Sequence, residues 1–184
     1  MTISNKRLKY IETLSPDLNY TDIPSPVGEL TLIACDKKLH MILWDNERQT
    51  EAAEKALMHF SKHLNNPIFQ KTQQQLNEYF TGKRKFFDLD LALHGTAFQK
   101  KSWHALQQIP FGKTISYGEQ AAILGDKNKA RAVGMANGLN PISIIIPCHR
   151  VIGANGKLTG FAGGCDKKAY LLQLESRFQT LTTP

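Results

Sequence analysis

At 184 residues, 41% of them apolar, the chain can bury enough core for one sizeable domain or two small ones without disulfide staples. Cys35, Cys148 and Cys165 are odd in number and never spaced C-x-x-C, which argues against a disulfide framework or a zinc site and for a reducing, cytoplasmic setting with no metal. No apolar stretch reaches bilayer length and Met1–Tyr10 lacks a signal-peptide core, so no membrane partner is expected. The net charge of +7 is unevenly placed. Residues 1–95 set 12 Lys and Arg against 12 Asp and Glu, whereas residues 96–184 set 11 basic residues against only Glu119, Asp126, Asp166 and Glu175. A neutral half joined to a basic half suits a polyanion, most often nucleic acid; a generic basic protein kept soluble by its lysines is the plainer alternative.

The first half reads as a small α/β domain over residues 1–92. Ser25-Pro26-Val27-Gly28 is a turn, Glu29–Ala34 a strand, Asp36-Lys37-Lys38 a second turn and Leu39–Trp44 a return strand, so a β-hairpin is expected. Ala53, Leu57, Phe60 and Leu64 recur at helical spacing within Arg48–Leu64, and a shorter helix holds Leu76 and Phe80 before Thr81-Gly82. His40, His59, His63 and His94 are scattered, with no catalytic grouping. Leu91–Thr96 reads as a linker.

Residues 96–184 read as a mainly helical domain, making the whole an α+β chain. Phe98–Ile109 is a helix stopped by Pro110, with Phe98, Leu106 and Ile109 on one face. Ser116-Tyr117-Gly118-Glu119 fits a capping box, so a helix should start at Tyr117 and end near Gly125. A second runs from about Asn128 to Asn137 and ends before Asn140-Pro141. Two short helices around Gly125 form either a helix-turn-helix or an ordinary helical hairpin. The second helix sets tiny residues around one arginine, Ala130-Arg131-Ala132-Val133-Gly134-Met135-Ala136, which would let its backbone approach a neighbouring helix or a DNA groove. Ile144-Ile145-Ile146 reads as a buried strand leading to Pro147-Cys148-His149-Arg150-Val151. A thiol is a poor nucleophile until a base takes its proton, and His149 is the adjacent candidate. Gly153–Gly156 is a turn, Thr159–Gly164 a glycine-rich loop, and Asp166 the cap of a last helix burying Leu171, Leu174 and Phe178. Taken alone, Glu175 on that helix reads as a solvated charge.

Together, Phe98-Gln99, Trp103, Ile109-Pro110-x-Gly112, Ser116-Tyr117, Ala130-Arg131-Ala132-Val133-Gly134, Asn140-Pro141, Ile146-Pro147-Cys148-His149-Arg150-Val151 and Leu171-Leu172-x-x-Glu175 resemble the O6-alkylguanine-DNA alkyltransferases, the direct-reversal DNA repair family. The match spans residues 96–184; the first half resembles the family's variable α+β domain more weakly, and the two-part layout resembles the bacterial stand-alone type. The resemblance implies a monomer without cofactor that acts once on double-stranded DNA containing O6-alkylguanine, with O4-alkylthymine a further substrate. Cys148 would accept the alkyl group, His149 act as its base through a water, and Glu175 orient that histidine. Tyr117 would donate a hydrogen bond to the departing guanine. Arg131 would fill the gap left by the flipped nucleotide, with Ala130, Ala132 and Gly134 beside it. Asn140 would brace the recognition helix against the active loop. The carbonyls of Cys148 and Val151 and the amide of Ala162 would read the base edge. Phe161 stands where the family often has Tyr, so that hydroxyl is missing here. A lesion sensor that flips bases without transfer, and a thiol hydrolase that ignores nucleic acid, are the competing readings. Cys148 argues against the first, the basic half and Arg131 against the second.

Overall fold

The computed structural model describes residues 7, 11, 17–63 and 65–180. The chain divides into two compact units, Met1–Leu93 and His94–Pro184.

The N-terminal unit is a four-stranded sheet of order β3-β2-β1-β4, built from β1 (Asn19–Ile23), β2 (Leu30–Ala34), β3 (Leu39–Trp44) and β4 (Ser61–Lys62). The expected hairpin is β2–β3, antiparallel with Leu32 opposite Ile42. Strand β1 was not visible in the pattern, because its polar Asn-Tyr-Thr-Asp run offers no apolar alternation. The single helix expected over Arg48–Leu64 is instead two short ones, α1 (Asp45–Arg48) and α2 (Glu51–Leu57). Thr50 breaks the run by capping α2, its side chain accepting from the Ala53 amide. Leu64 lies outside the described residues. Helix α3 (Pro67–Phe80) buries Leu76 and Phe80 as expected. Ile33, Met41, Leu43, Ala53, Leu57 and Phe60 form the core of the sheet face. Leu91 pairs with Leu39, so the first residues of the expected linker belong to the edge of this sheet.

The C-terminal unit opens with α4 (Ala97–Gln107), started by a Thr96–Gln99 capping box. Short β5 (Ile115–Ser116) leads into α5 (Tyr117–Ile123), whose Ser116–Glu119 box is the one read from sequence. Gly125 turns the chain at φ +95°. A single 3-10 turn (Lys127–Lys129) then enters α6 (Ala130–Gly138), completing the helix-turn-helix. Between these helices lies a buried polar knot. Asn137 donates to Gln120, Gln120 and Ser102 hydrogen-bond back to Asn137, and the Trp103 indole donates to the Ala136 carbonyl. Because each member has a partner, the knot fixes the helices' register rather than weakening the core.

Ile144–Ile146 is not a strand. Ile144 takes φ +75°, and the Ile146 amide donates to the Ile142 carbonyl, so the apolar run is a buried tight turn. A β-branched residue in that region is strained, and the turn persists because Asn140 closes it from inside. Its amide nitrogen donates to the Ile146 carbonyl at 2.8 Å, while its oxygen accepts from the Ile142 amide at 3.0 Å. After the turn come a 3-10 helix (Cys148–Arg150), β6 (Val151–Ile152) paired parallel with β5, and α7 (Cys165–Thr180). Asp166 sits in the first turn of α7 rather than capping it, and Leu174 and Phe178 are only half buried. The fully buried positions of α7 are Lys168, Leu171 and Glu175.

Candidate active site

One turn of 3-10 helix presents Cys148, His149 and Arg150, all buried. Glu175 reaches them from α7. His149 Nε2 lies 2.8 Å from Glu175 Oε1, and both side chains are sealed from solvent. Burial lowers the histidine's pKa more than the neighbouring carboxylate raises it, so the ring is neutral near pH 7. Burial alone would also raise the pKa of Glu175, but the hydrogen bonds and charges of His149 and Arg150 outweigh it and bring it down to about 2. An ionised carboxylate only accepts, so the hydrogen of the neutral ring sits on Nε2. Nδ1 therefore carries a bare lone pair, and it is buried without a hydrogen-bond partner among the described residues. The site thus sets the basic nitrogen of His149 in the same helical turn as a buried thiol.

Arg150, part of the signature but given no role above, supplies the fixed positive charge. Its Nε and Nη2 donate to the Glu175 carboxylate at 3.0 and 2.9 Å, its Nη1 donates to the Ile109 carbonyl, and its guanidinium lies over the Phe111 ring. The Gly112 amide also donates to Glu175 at 2.8 Å. Reading Glu175 as a solvated charge fails for this reason: the carboxylate is the hub of a buried network. Such a charge is tolerable only when it is both paired and hydrogen-bonded.

Lys168 is the second residue that sequence reasoning missed. Its buried ammonium donates to the carbonyls of Val151 at 2.6 Å and Thr159 at 2.9 Å. Burial lowers its pKa, while negative charge on Cys148 or Cys165 would raise it. Reciprocally, a protonated Lys168 favours a Cys148 thiolate. The 168/171/175 spacing was the available signal, a helical stripe carrying two ionisable residues where apolar ones belong.

Tyr117, at the start of α5, donates its hydroxyl to the Thr159 carbonyl at 3.1 Å. Burial raises its pKa, and charge on Cys148 and Cys165 raises it further, so it remains a protonated donor. The structure therefore brings Cys148, His149, Glu175, Arg150, Lys168 and Tyr117 together. Val151 contributes a carbonyl already bonded to Lys168, and the Cys148 carbonyl accepts from the Val151 amide. Each oxygen keeps a second lone pair for a ligand. Phe161 and Ala162 are half-buried in the loop before α7.

The residues expected to line a groove divide. Arg131 and Ala132 are exposed and Ala130 is half-buried on α6. Gly134 turns inward, where a methyl group would meet the Tyr117 ring at 3.7 Å. Ala136 is buried at 3% exposure and does not belong to an approach face, correcting its grouping with the exposed alanines.

Comparison with known proteins agrees with this geometry. Residues 97–177 match the model of the 6-O-methylguanine DNA methyltransferase DNA binding domain, and residues 18–93 that of the same family's ribonuclease-like domain. The chain belongs to the 6-O-methylguanine DNA methyltransferase family. The methylated-DNA–protein-cysteine methyltransferase of Methanosarcina acetivorans is 45% identical to this methyltransferase, over 85% of this chain and 97% of its own length. That of Mycobacterium bovis is 47% identical over 86% and 92%. The Mycobacterium tuberculosis O6-methylguanine methyltransferase structure superposes with a TM-score of 0.80 at 44% identity, covering 90% of this chain and 99% of that one. A structure of the M. tuberculosis protein in complex with DNA matches at a TM-score of 0.78 and 45% identity, over 87% and 94%. No helix among the described residues is long and apolar enough to cross a membrane.

Proposed function

We propose that this methyltransferase repairs double-stranded DNA by moving the alkyl group of O6-alkylguanine onto its own Cys148, once and irreversibly. The observation that carries this is the bare Nδ1 of a neutral His149, whose tautomer is fixed by a Glu175 carboxylate that Arg150 keeps ionised. The imidazole takes the thiol proton through a bridging water, and the resulting imidazolium is stabilised by Glu175. The sulfur attacks the alkyl carbon, and the S–C bond forms as the C–O bond breaks. The electron pair goes to guanine, whose developing charge the Tyr117 hydroxyl meets with a hydrogen bond. To do so, the hydroxyl turns from the Thr159 carbonyl, which Lys168 continues to satisfy. A thioether has no easy exit, so no second turnover follows and no cofactor is needed.

A buried thiol reaches a stacked base only if the nucleotide is extruded. Arg131, exposed on α6, occupies the space left behind, and Ala130 and Ala132 let the helix backbone approach the minor groove. Asn140 holds the strained turn that joins α6 to the thiol. The carbonyls of Cys148 and Val151 and the amide of Ala162 read the flipped base, with Phe161 against it. Residues 1–92 and 96–184 act as separate domains, the second holding all of this chemistry. O4-alkylthymine is a further substrate. The three free thiols of the protein suit a reducing cytoplasm.

Incubation with a duplex holding O6-methylguanine, followed by intact-mass measurement and peptide mapping, tests the proposal. One methyl group per protein, on Cys148, is expected. Label on Cys165, repeated turnover, or full activity in Cys148→Ala would overturn it.

A further inference from the structure

The two sides of α6 differ sharply in chemistry. Val133, Ala136 and Asn137 are buried against α4 and α5, and Gly134 faces Tyr117. The opposite side presents Arg131, Ala132 and Met135, with Lys127, Asn128 and Lys129 exposed in the turn that enters the helix. Met135 is 57% exposed. A scattered exposed apolar side chain is ordinary on a protein surface and by itself means nothing. This one is four residues after Arg131, hence one turn further along the same face. Helical side chains lean toward the N-terminus, so the Met135 thioether lies over the turn that carries Arg131 and Ala132. An unbranched, polarisable apolar tip thus shares a helix face with Arg131 and Ala132, beyond an entering turn that carries Lys127 and a Lys129 paired with Asp126 at 3.7 Å. It suits the minor groove of DNA, where phosphates on both sides meet the lysines and an apolar wedge packs between sugar walls and base steps.

We propose that Met135 is a second DNA-contacting side chain of α6, an apolar wedge beside Arg131 that holds the duplex open around the extruded nucleotide. This rests on the repair reading above. Arg131 supplies charge and fills the vacancy; Met135 supplies apolar contact to the neighbouring base pair, so that the unstacked step does not close. At 57% exposure its side chain should add little to folding stability.

Met135→Gln keeps length and flexibility but loses the apolar tip, and Met135→Leu restores it in another shape. Single-turnover repair of an O6-methylguanine duplex, reaction with free O6-benzylguanine, thermal unfolding, and the fluorescence of a 2-aminopurine beside the lesion are measured for both variants. Met135→Gln should slow duplex repair by about tenfold and reduce the 2-aminopurine signal that reports unstacking. Its free-base reaction and unfolding should stay at wild-type values, and Met135→Leu should recover most of the duplex rate. A wild-type duplex rate in Met135→Gln, equal losses on duplex and free base, or equal losses in both variants would overturn the wedge. A wild-type protein that takes no alkyl group from either substrate would instead overturn the repair reading itself.

Discussion

Arg150 Nη2 lies 2.9 Å from Glu175 Oε1, while the same carboxylate oxygen lies 2.8 Å from His149 Nε2. One carboxylate therefore answers both to a permanent cation and to the imidazole that must receive a proton. Arg150→Ala would leave Glu175 buried beside a neutral ring, and the cost should be about 3–5 kcal/mol, the usual penalty for removing one partner of a buried pair. Urea unfolding measures it. Arg150→Lys should recover only part of the loss, because an ammonium cannot bond the carboxylate and the Ile109 carbonyl through one planar fork.

His149 and Glu175 should act as a unit. Glu175→Gln removes the charge that stabilises the imidazolium, so the apparent pKa of the Cys148 thiol should rise and the rate–pH profile shift to higher pH. The Glu175→Gln, His149→Ala double variant should lose little more rate than His149→Ala alone. An unmoved profile in Glu175→Gln would reduce the carboxylate to a structural role.

Stability should fall in acid in two stages. The pKa of His149 is lowered from 6.5 in the folded protein, so below about pH 6.5 the unfolded chain binds a proton that the folded one refuses, and stability drops as the pH falls. Glu175 follows. Its pKa goes from 4.5 to about 2 on folding, so its contribution is full above about pH 4.5 and lost as the pH falls toward 2. The second stage should amount to about 3 kcal/mol. Urea midpoints measured down to about pH 2 check this, and Glu175→Gln should flatten the lower stage.

Lys168→Met should slow reaction with both duplex and free base, since it removes a charge beside the thiol and frees the carbonyls of Val151 and Thr159. A raised thiol pKa distinguishes this from simple loss of packing. If the thiol titrates as in the wild type, Lys168 only holds the loop.

Arg131→Ala should separate flipping from chemistry. Without the finger the extruded nucleotide is dearer by a few kcal/mol, and duplex repair should slow by about 10–1000-fold while reaction with free O6-benzylguanine barely changes. Equal weakening of damaged and undamaged DNA would mark a phosphate contact instead. Salt should weaken all DNA binding steeply, as expected where the net charge sits in residues 96–184.

What the sequence determined by itself was local or carried by a contiguous motif. The Ser116–Glu119 box, the β2–β3 hairpin and the turn at Gly125 depend on residues a few positions apart, whose backbone preferences act before any tertiary contact forms. Cys148-His149 is adjacent in the chain, so nucleophile and base were legible together. Tertiary structure decided the state of that base. Glu175 looks solvated from its neighbours in sequence and becomes a buried hub only because Arg150, Gly112 and His149, 25 to 63 residues away, converge on it. Lys168 is the same case. The Ile144–Ile146 run was misread because hydrophobicity reports burial and not direction. The two bonds of Asn140, with the Ile146–Ile142 backbone bond, select a strained turn over a strand, and packing of α6 on its neighbouring helices sends Ala136 inward while leaving Arg131 exposed. Long-range desolvation has no sequence period, so ionisable groups that survive burial through partners are found only when the fold brings those partners together.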